Sequence, residues 1–165
     1  MPTANIVSSH SEFVLGNSGT SLAASAAVTS GTAVGGTANT LIPTYFHFGA
    51  IGLYYNYRAF LGFDLSGESG TITGLTLTLY RRVSATTPEL YIIASQASDD
   101  IATSDYLDGI DGEDGYPFTD DATQFTDSPW NPNADGGGDG DAVTITLNSE
   151  AITAAQAVMG SGKFK

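Results

Sequence analysis

The residues whose types and spacing could do chemistry are mostly carboxylates and amides. Asn131, Asn133, Asp135 and Gly136 stand at the spacing of ligand positions 1, 3 and 5 and the tight-turn glycine of a calcium loop, with Asp139 at position 9. Such spacing suits a hard cation, because alternate side chains of a loop that folds back on glycine converge their oxygens on one point. The bidentate glutamate that closes such loops is missing: Ala142 stands at its position, and the first ligand is Asn rather than Asp. A weak calcium site at Asn131, Asn133, Asp135 and Asp139 is one expectation; a solvated acidic loop is the other. The surrounding stretch, Asp99 to Asp141, carries thirteen acids and no basic residue. Carboxylates so crowded repel one another unless water or a cation screens them. A second acidic knot at Asp108, Asp111, Glu113 and Asp114 matches a calcium pattern less well.

Catalytic groups are scarce. His10 and His47 are the only imidazoles and fall in separate strands or loops, which leaves a transition metal without a ligand set. No Gly-x-Ser-x-Gly elbow surrounds any serine, and a hydroxyl without a placed base is not a nucleophile. Carboxylate pairs could serve a glycosidase, but spacing alone does not show which pair would flank a bond. The glycine cluster Gly136 to Gly140 includes and is flanked by aspartates that would repel a phosphate. The expectation is a protein that is not an enzyme.

Binding by aromatic stacking has more material. Tyr54, Tyr55, Tyr57, Tyr106, Tyr116 and Trp130 could present flat rings to a sugar at the rim of a β-fold. A place in the core or in a subunit interface is the alternative use of the same rings.

Charge removes whole classes of partner. Eighteen acids against Arg58, Arg81, Arg82, Lys163 and Lys165 give a formal net charge of −13. Nucleic acid is therefore not an expected partner, since phosphate binding depends on Lys and Arg releasing counterions, and an anionic membrane surface is disfavoured for the same reason. There is no cysteine, so neither a disulfide framework nor a thiolate metal site is available. The stretch Met1 to Val7 lacks the cationic start and apolar run of a secretory signal, and no stretch approaches the length of a membrane span.

The elements that must position these residues are strands. The 165 residues suit one domain, rich in Thr, Ser, Ala and Gly, with Tyr and Phe supplying bulk; Thr, Tyr, Phe, Val and Ile fit a pleated surface better than a helix. Residues 1–40 read as an N-terminal arm with a strand-like run at Glu12 to Leu15 and a low-complexity stretch from Ser18 to Thr40. Residues 41–165 read as the folded domain. From Tyr57, the set Tyr57, Ala59, Leu61, Phe63 and Leu65 shares one face and Arg58, Phe60, Gly62 and Asp64 the other, so both faces of this strand should be covered. Leu75, Leu77 and Leu79 alternate with Thr76, Thr78 and Tyr80, and Val143, Ile145 and Leu147 with Thr144 and Thr146, which marks two strands with one buried face each. Leu90 to Ala94 reads as a fully apolar strand. One helix is expected over Glu150 to Met159, capped by Asn148 or Ser149, stopped by Gly160, and packed through Ile152, Ala155 and Met159. Strands with turn-rich connections and one late helix point to an all-β jelly-roll β-sandwich with a short C-terminal helix and a low-complexity N-terminal arm.

Two stretches carry a resemblance. Tyr57-Arg58-Ala59-Phe60-Leu61-Gly62-Phe63-Asp64-Leu65 and Gly70-Thr71-Ile72-Thr73-Gly74-Leu75-Thr76-Leu77-Thr78-Leu79-Tyr80 resemble a pattern in jelly-roll structural proteins of tailed phages, of the minor tail or decoration type. The same pattern is similar to DNRLRE-type modules, which are carbohydrate-binding-like and attached to secreted proteins. The specific match covers about 24 residues and weakens through Ile93, returning at Asp141 to Phe164. What it implies is a virion protein that adheres to other virion proteins and to copies of itself, a trimer being favoured. Its place would be the virion surface after assembly in the host cytoplasm. The second implied reading is a carbohydrate-binding module of an exported, extracellular protein, with a glycan as ligand. Arg58 is expected to pair with a carboxylate such as Asp64. The secreted modules usually continue past the helix into further strands, so a sandwich ending at Lys163-Phe164-Lys165 would leave an edge open to a strand from another subunit.

Overall fold

Alternating residues make the strands of this chain, and the structure, a computed structural model, describes residues 4–6, 10–18, 33–35, 44–48, 53–80, 92–95, 123–131 and 138–165. Side chains are described from residue 59 onward within these segments and at residues 4–6. The elements run β1 (His10–Ser18), β2 (Ala33–Gly35), β3 (Thr44–Phe48), β4 (Leu53–Asp64), β5 (Thr76–Tyr80), β6 (Ala142–Thr146), α1 (Ser149–Val158) and β7 (Lys163–Phe164). The described part is thus rich in strands, with a single short helix.

β4 organises the larger sheet, whose order is β2-β1-β4-β3 with β7 also on β4. β1 lies antiparallel along it from His10 opposite Gly62 to Ser18 opposite Tyr54, and β3 pairs from Thr44 opposite Tyr57 to Phe48 opposite Leu53. A strand flanked on both sides has its backbone groups paired on both sides. From Ala59, where the described side chains of β4 begin, burial can be compared with the expected alternation. Phe60 and Gly62 are buried on one face, Leu65 is buried just past the strand, and Ala59, Leu61 and Phe63 are half-buried on the other. The expected run Glu12 to Leu15 lies inside the longer β1, and β2, antiparallel to β1 through Phe13 opposite Gly35, falls within the low-complexity stretch.

β5 and β6 form a separate antiparallel pair, Thr76 opposite Thr146, Leu77 opposite Ile145 and Leu79 opposite Val143. A further bond from the Leu147 N–H to the Leu75 carbonyl, 3.0 Å, extends the ladder. The expected segregation is realised: Val143, Ile145 and Leu147 are buried, Leu75, Leu77 and Leu79 half-buried, and all four threonines of the ladder exposed. The Thr78 and Thr144 hydroxyls, directly opposite, stand 3.5 Å apart.

The apolar face of this pair meets the described core. Phe125, Ile145, Leu147 and Ala151 form its buried centre, with Ile92, Ala94, Trp130, Ala154 and Phe164 packed against it. Phe164 stacks on Phe125 with ring centroids 5.1 Å apart and lies 6.4 Å from Phe63 of β4. β7 thereby ties the larger sheet to this core: Phe164 pairs with Phe63 through the ladder, and the Lys165 carbonyl accepts from the Ser95 N–H at 3.3 Å. Leu90 to Ala94 was expected as a full strand. Its described part, from Ile92, makes an isolated antiparallel bridge, Ile93 opposite Gln124, with bonds from Phe125 N–H to the Ile92 carbonyl and from Ala94 N–H to the Thr123 carbonyl. Leu90 and Tyr91 lie outside the described residues.

The helix forms where the capping pattern places it. Asn148 is extended at φ −84° and ψ −172°, and its side-chain oxygen accepts from the Ala151 N–H. Gly160, two residues past the end, takes φ +76°, a conformation that glycine adopts without a Cβ penalty. The packing stripe differs from the one expected. Ala155 is fully buried as anticipated, but its partner is Ala151, one turn earlier, while Ile152 and Met159 are only half-buried. Two alanines at i and i+4 let the helix backbone approach the core closely, and the larger side chains then fall to the flanks.

Candidate functional site

Three places were open to chemistry or binding: the acidic loop before β6, the aromatic residues, and any depression beside the helix. The acidic loop leads directly into β6. The Asp141 carboxylate accepts from the Gly138 N–H at 2.6 Å, and the Asp141 N–H donates to the Gly138 carbonyl at 3.3 Å. Gly140 stands at φ +84°, which permits so tight a closure. Asp141 therefore spends one carboxylate oxygen holding the turn shut and aligning the start of the strand. Of the expected calcium ligands, Asn131 and Asp139 are described and both are exposed, while Asn133 and Asp135 lie outside the described residues. Among the described residues, no group of three His, Asp or Glu side chains is arranged to hold a metal ion. The second acidic knot, Asp108 to Asp114, also lies outside them.

The aromatic candidates separate. Tyr54 and Tyr55 occupy consecutive positions of β4, opposite His47 and Phe46 of β3, and their side chains lie outside the described residues. Trp130 is half-buried and packs against the Phe125 cluster. Tyr106 and Tyr116 lie outside the described residues. The large apolar side chain that is most open to solvent among the described residues is Tyr80, 77% exposed at the end of β5. Alternation with Leu77 and Leu79 already puts it on the open face. Sequence reading grouped Tyr80 with the polar side of the strand without treating it as a binding ring.

The depression beside the helix is shallow, with a volume of about 400 Å³, and is lined by Thr71, Ile72, Ile152, Thr153, Gln156 and Ala157. Its polar groups are largely committed. The Gln156 side-chain carbonyl accepts from the Ile72 N–H at 2.8 Å and its amide donates to the Gly70 carbonyl at 3.1 Å. The Thr153 hydroxyl donates to the Ser149 carbonyl one turn back, at 2.9 Å. Among the described residues, no carboxylate, imidazole or cationic side chain lines it. The Gln156 tie was missed in sequence, because a glutamine on an exposed helix face carries no local signal of a partner eighty-four residues away.

Of the two residues expected to pair, Arg58 and Asp64, only the Asp64 side chain is described. The Asp64 carboxylate accepts from the Ser66 N–H at 2.9 Å, closing an Asx turn at the end of β4. The Arg58 side chain lies outside the described residues. His10 and His47, expected in separate elements, stand in β1 and β3. Among the described residues, no helix is long and apolar enough to cross a membrane.

The chain matches no family model, no curated protein and no solved structure at a level that marks kinship.

Proposed function

We propose that the chain is a structural protein of a tailed-phage virion, a capsid decoration, head or tail fibre, or tail-associated subunit, that acts by adhesion between subunits and not by catalysis. The observation that carries the reading is the Tyr57–Tyr80 stretch. Its resemblance to phage jelly-roll proteins falls on one continuous piece of structure, β4, the Asp64 turn and β5. On this reading the β4 sheet and the β5–β6 pair are the two layers of a jelly-roll sandwich that meet through Phe63, Phe125 and Phe164. An acidic surface keeps particles displayed at high density from associating without order. Subunits would join as a closed homo-oligomer, a trimer being favoured, and calcium would bridge carboxylates of the acidic loops.

The test is the solution mass of the purified chain by light scattering, with and without a calcium chelator. A trimer or larger assembly supports the reading, and its loss on chelation assigns calcium to the acidic loops. A monomer under both conditions overturns it and favours the carbohydrate-binding module of an exported protein, which retardation on an affinity gel containing polysaccharide would then check.

A further inference from the structure

We draw no further inference here: the strongest candidate, the uncharged outer face of the β5–β6 ladder where Thr76, Thr78, Thr144 and Thr146 lie in register beside the exposed Tyr80, carries none because nothing in the structure shows what covers it.

Discussion

Gln156 of α1 holds the backbone of Ile72 from across the chain, its carbonyl taking the Ile72 N–H at 2.8 Å while its amide reaches the Gly70 carbonyl at 3.1 Å. One side chain thereby substitutes for the ladder partner that the stretch before β5 does not have among the described strands. Both bonds are exposed to water, which can replace them at modest cost. Gln156→Ala is expected to lower stability by about 0.5–1.5 kcal/mol. Gln156→Glu keeps the acceptor for Ile72 and loses the donor to Gly70, and should fall between the two. Urea midpoints of the three proteins, at equal denaturant slope, check the order.

Asn148 carries more. Its side-chain oxygen accepts from the Ala151 N–H at 3.2 Å, its amide donates to the Gln124 carbonyl at 3.0 Å, and its backbone N–H donates to the Phe125 carbonyl at 2.9 Å. Asn148→Ala removes a helix cap and orphans a part-buried carbonyl, a loss of about 1–2 kcal/mol. Asn148→Asp retains the cap without the donor to Gln124, and recovery of part of the loss in thermal melts would separate the two contributions.

Phe125 is the largest fully buried side chain described, at 2% exposure. Phe125→Ala should cost about 3–5 kcal/mol, since it removes both buried area and the ring on which Phe164 stacks. Phe125→Leu should cost clearly less. Near-ultraviolet circular dichroism and the thermal midpoint read the difference, and equal losses in the two variants would contradict the packing described.

The Thr126 hydroxyl is buried with no hydrogen-bond partner among the described residues. Leaving a hydroxyl in that state costs about 1–3 kcal/mol. Thr126→Val has nearly the same shape without the polar atom, and is expected to leave stability unchanged or raise it. A fall in the thermal midpoint would show that the hydroxyl has a partner after all.

Gly160 at φ +76° lies in the left-handed region, 3.5 Å from the Glu68 carbonyl at the point where a Cβ would sit. Gly160→Ala fits the space but not the backbone, and should cost about 1–2 kcal/mol. Denaturant titration against Gly67→Ala, a glycine with open space and no positive φ, isolates the conformational part.

The parts of the fold legible in sequence are those written in local periodicity. The Leu75–Leu79 and Val143–Leu147 alternations, the two-faced covering of β4, and the Asn148 cap and Gly160 stop all follow from residue type and spacing within one element. What was not legible depends on partners distant in the chain. Phe125 sits alone in an acidic run with no period to mark it, yet it centres the core. Ala151 and Ala155 outrank Ile152 in burial because Ala151 packs with Phe125, Ile145 and Leu147, contacts that no pattern of hydropathy within the helix encodes. For the candidate site, residue spacing offered a calcium loop ending at Asp139 or a solvated acidic loop, and it carried no signal of the turn from Gly138 to Asp141 that leads into β6. Asp141, which closes that turn, stood outside the chosen set.

The backbone of Leu65 joins three strokes of the chain: its carbonyl accepts from the N–H groups of Glu68 and Gly160, and its own N–H donates to the Gly162 carbonyl. The contact between β4 and β7 therefore joins stretches roughly a hundred positions apart, and closure over such a span is slow because its entropy is lost before the contact gives anything back. During synthesis β4 emerges long before its partner. Until the ribosome has released residues 160–165, Phe63 and Leu65 wait without that cover, and the arrival of that stretch decides when this side of the domain closes.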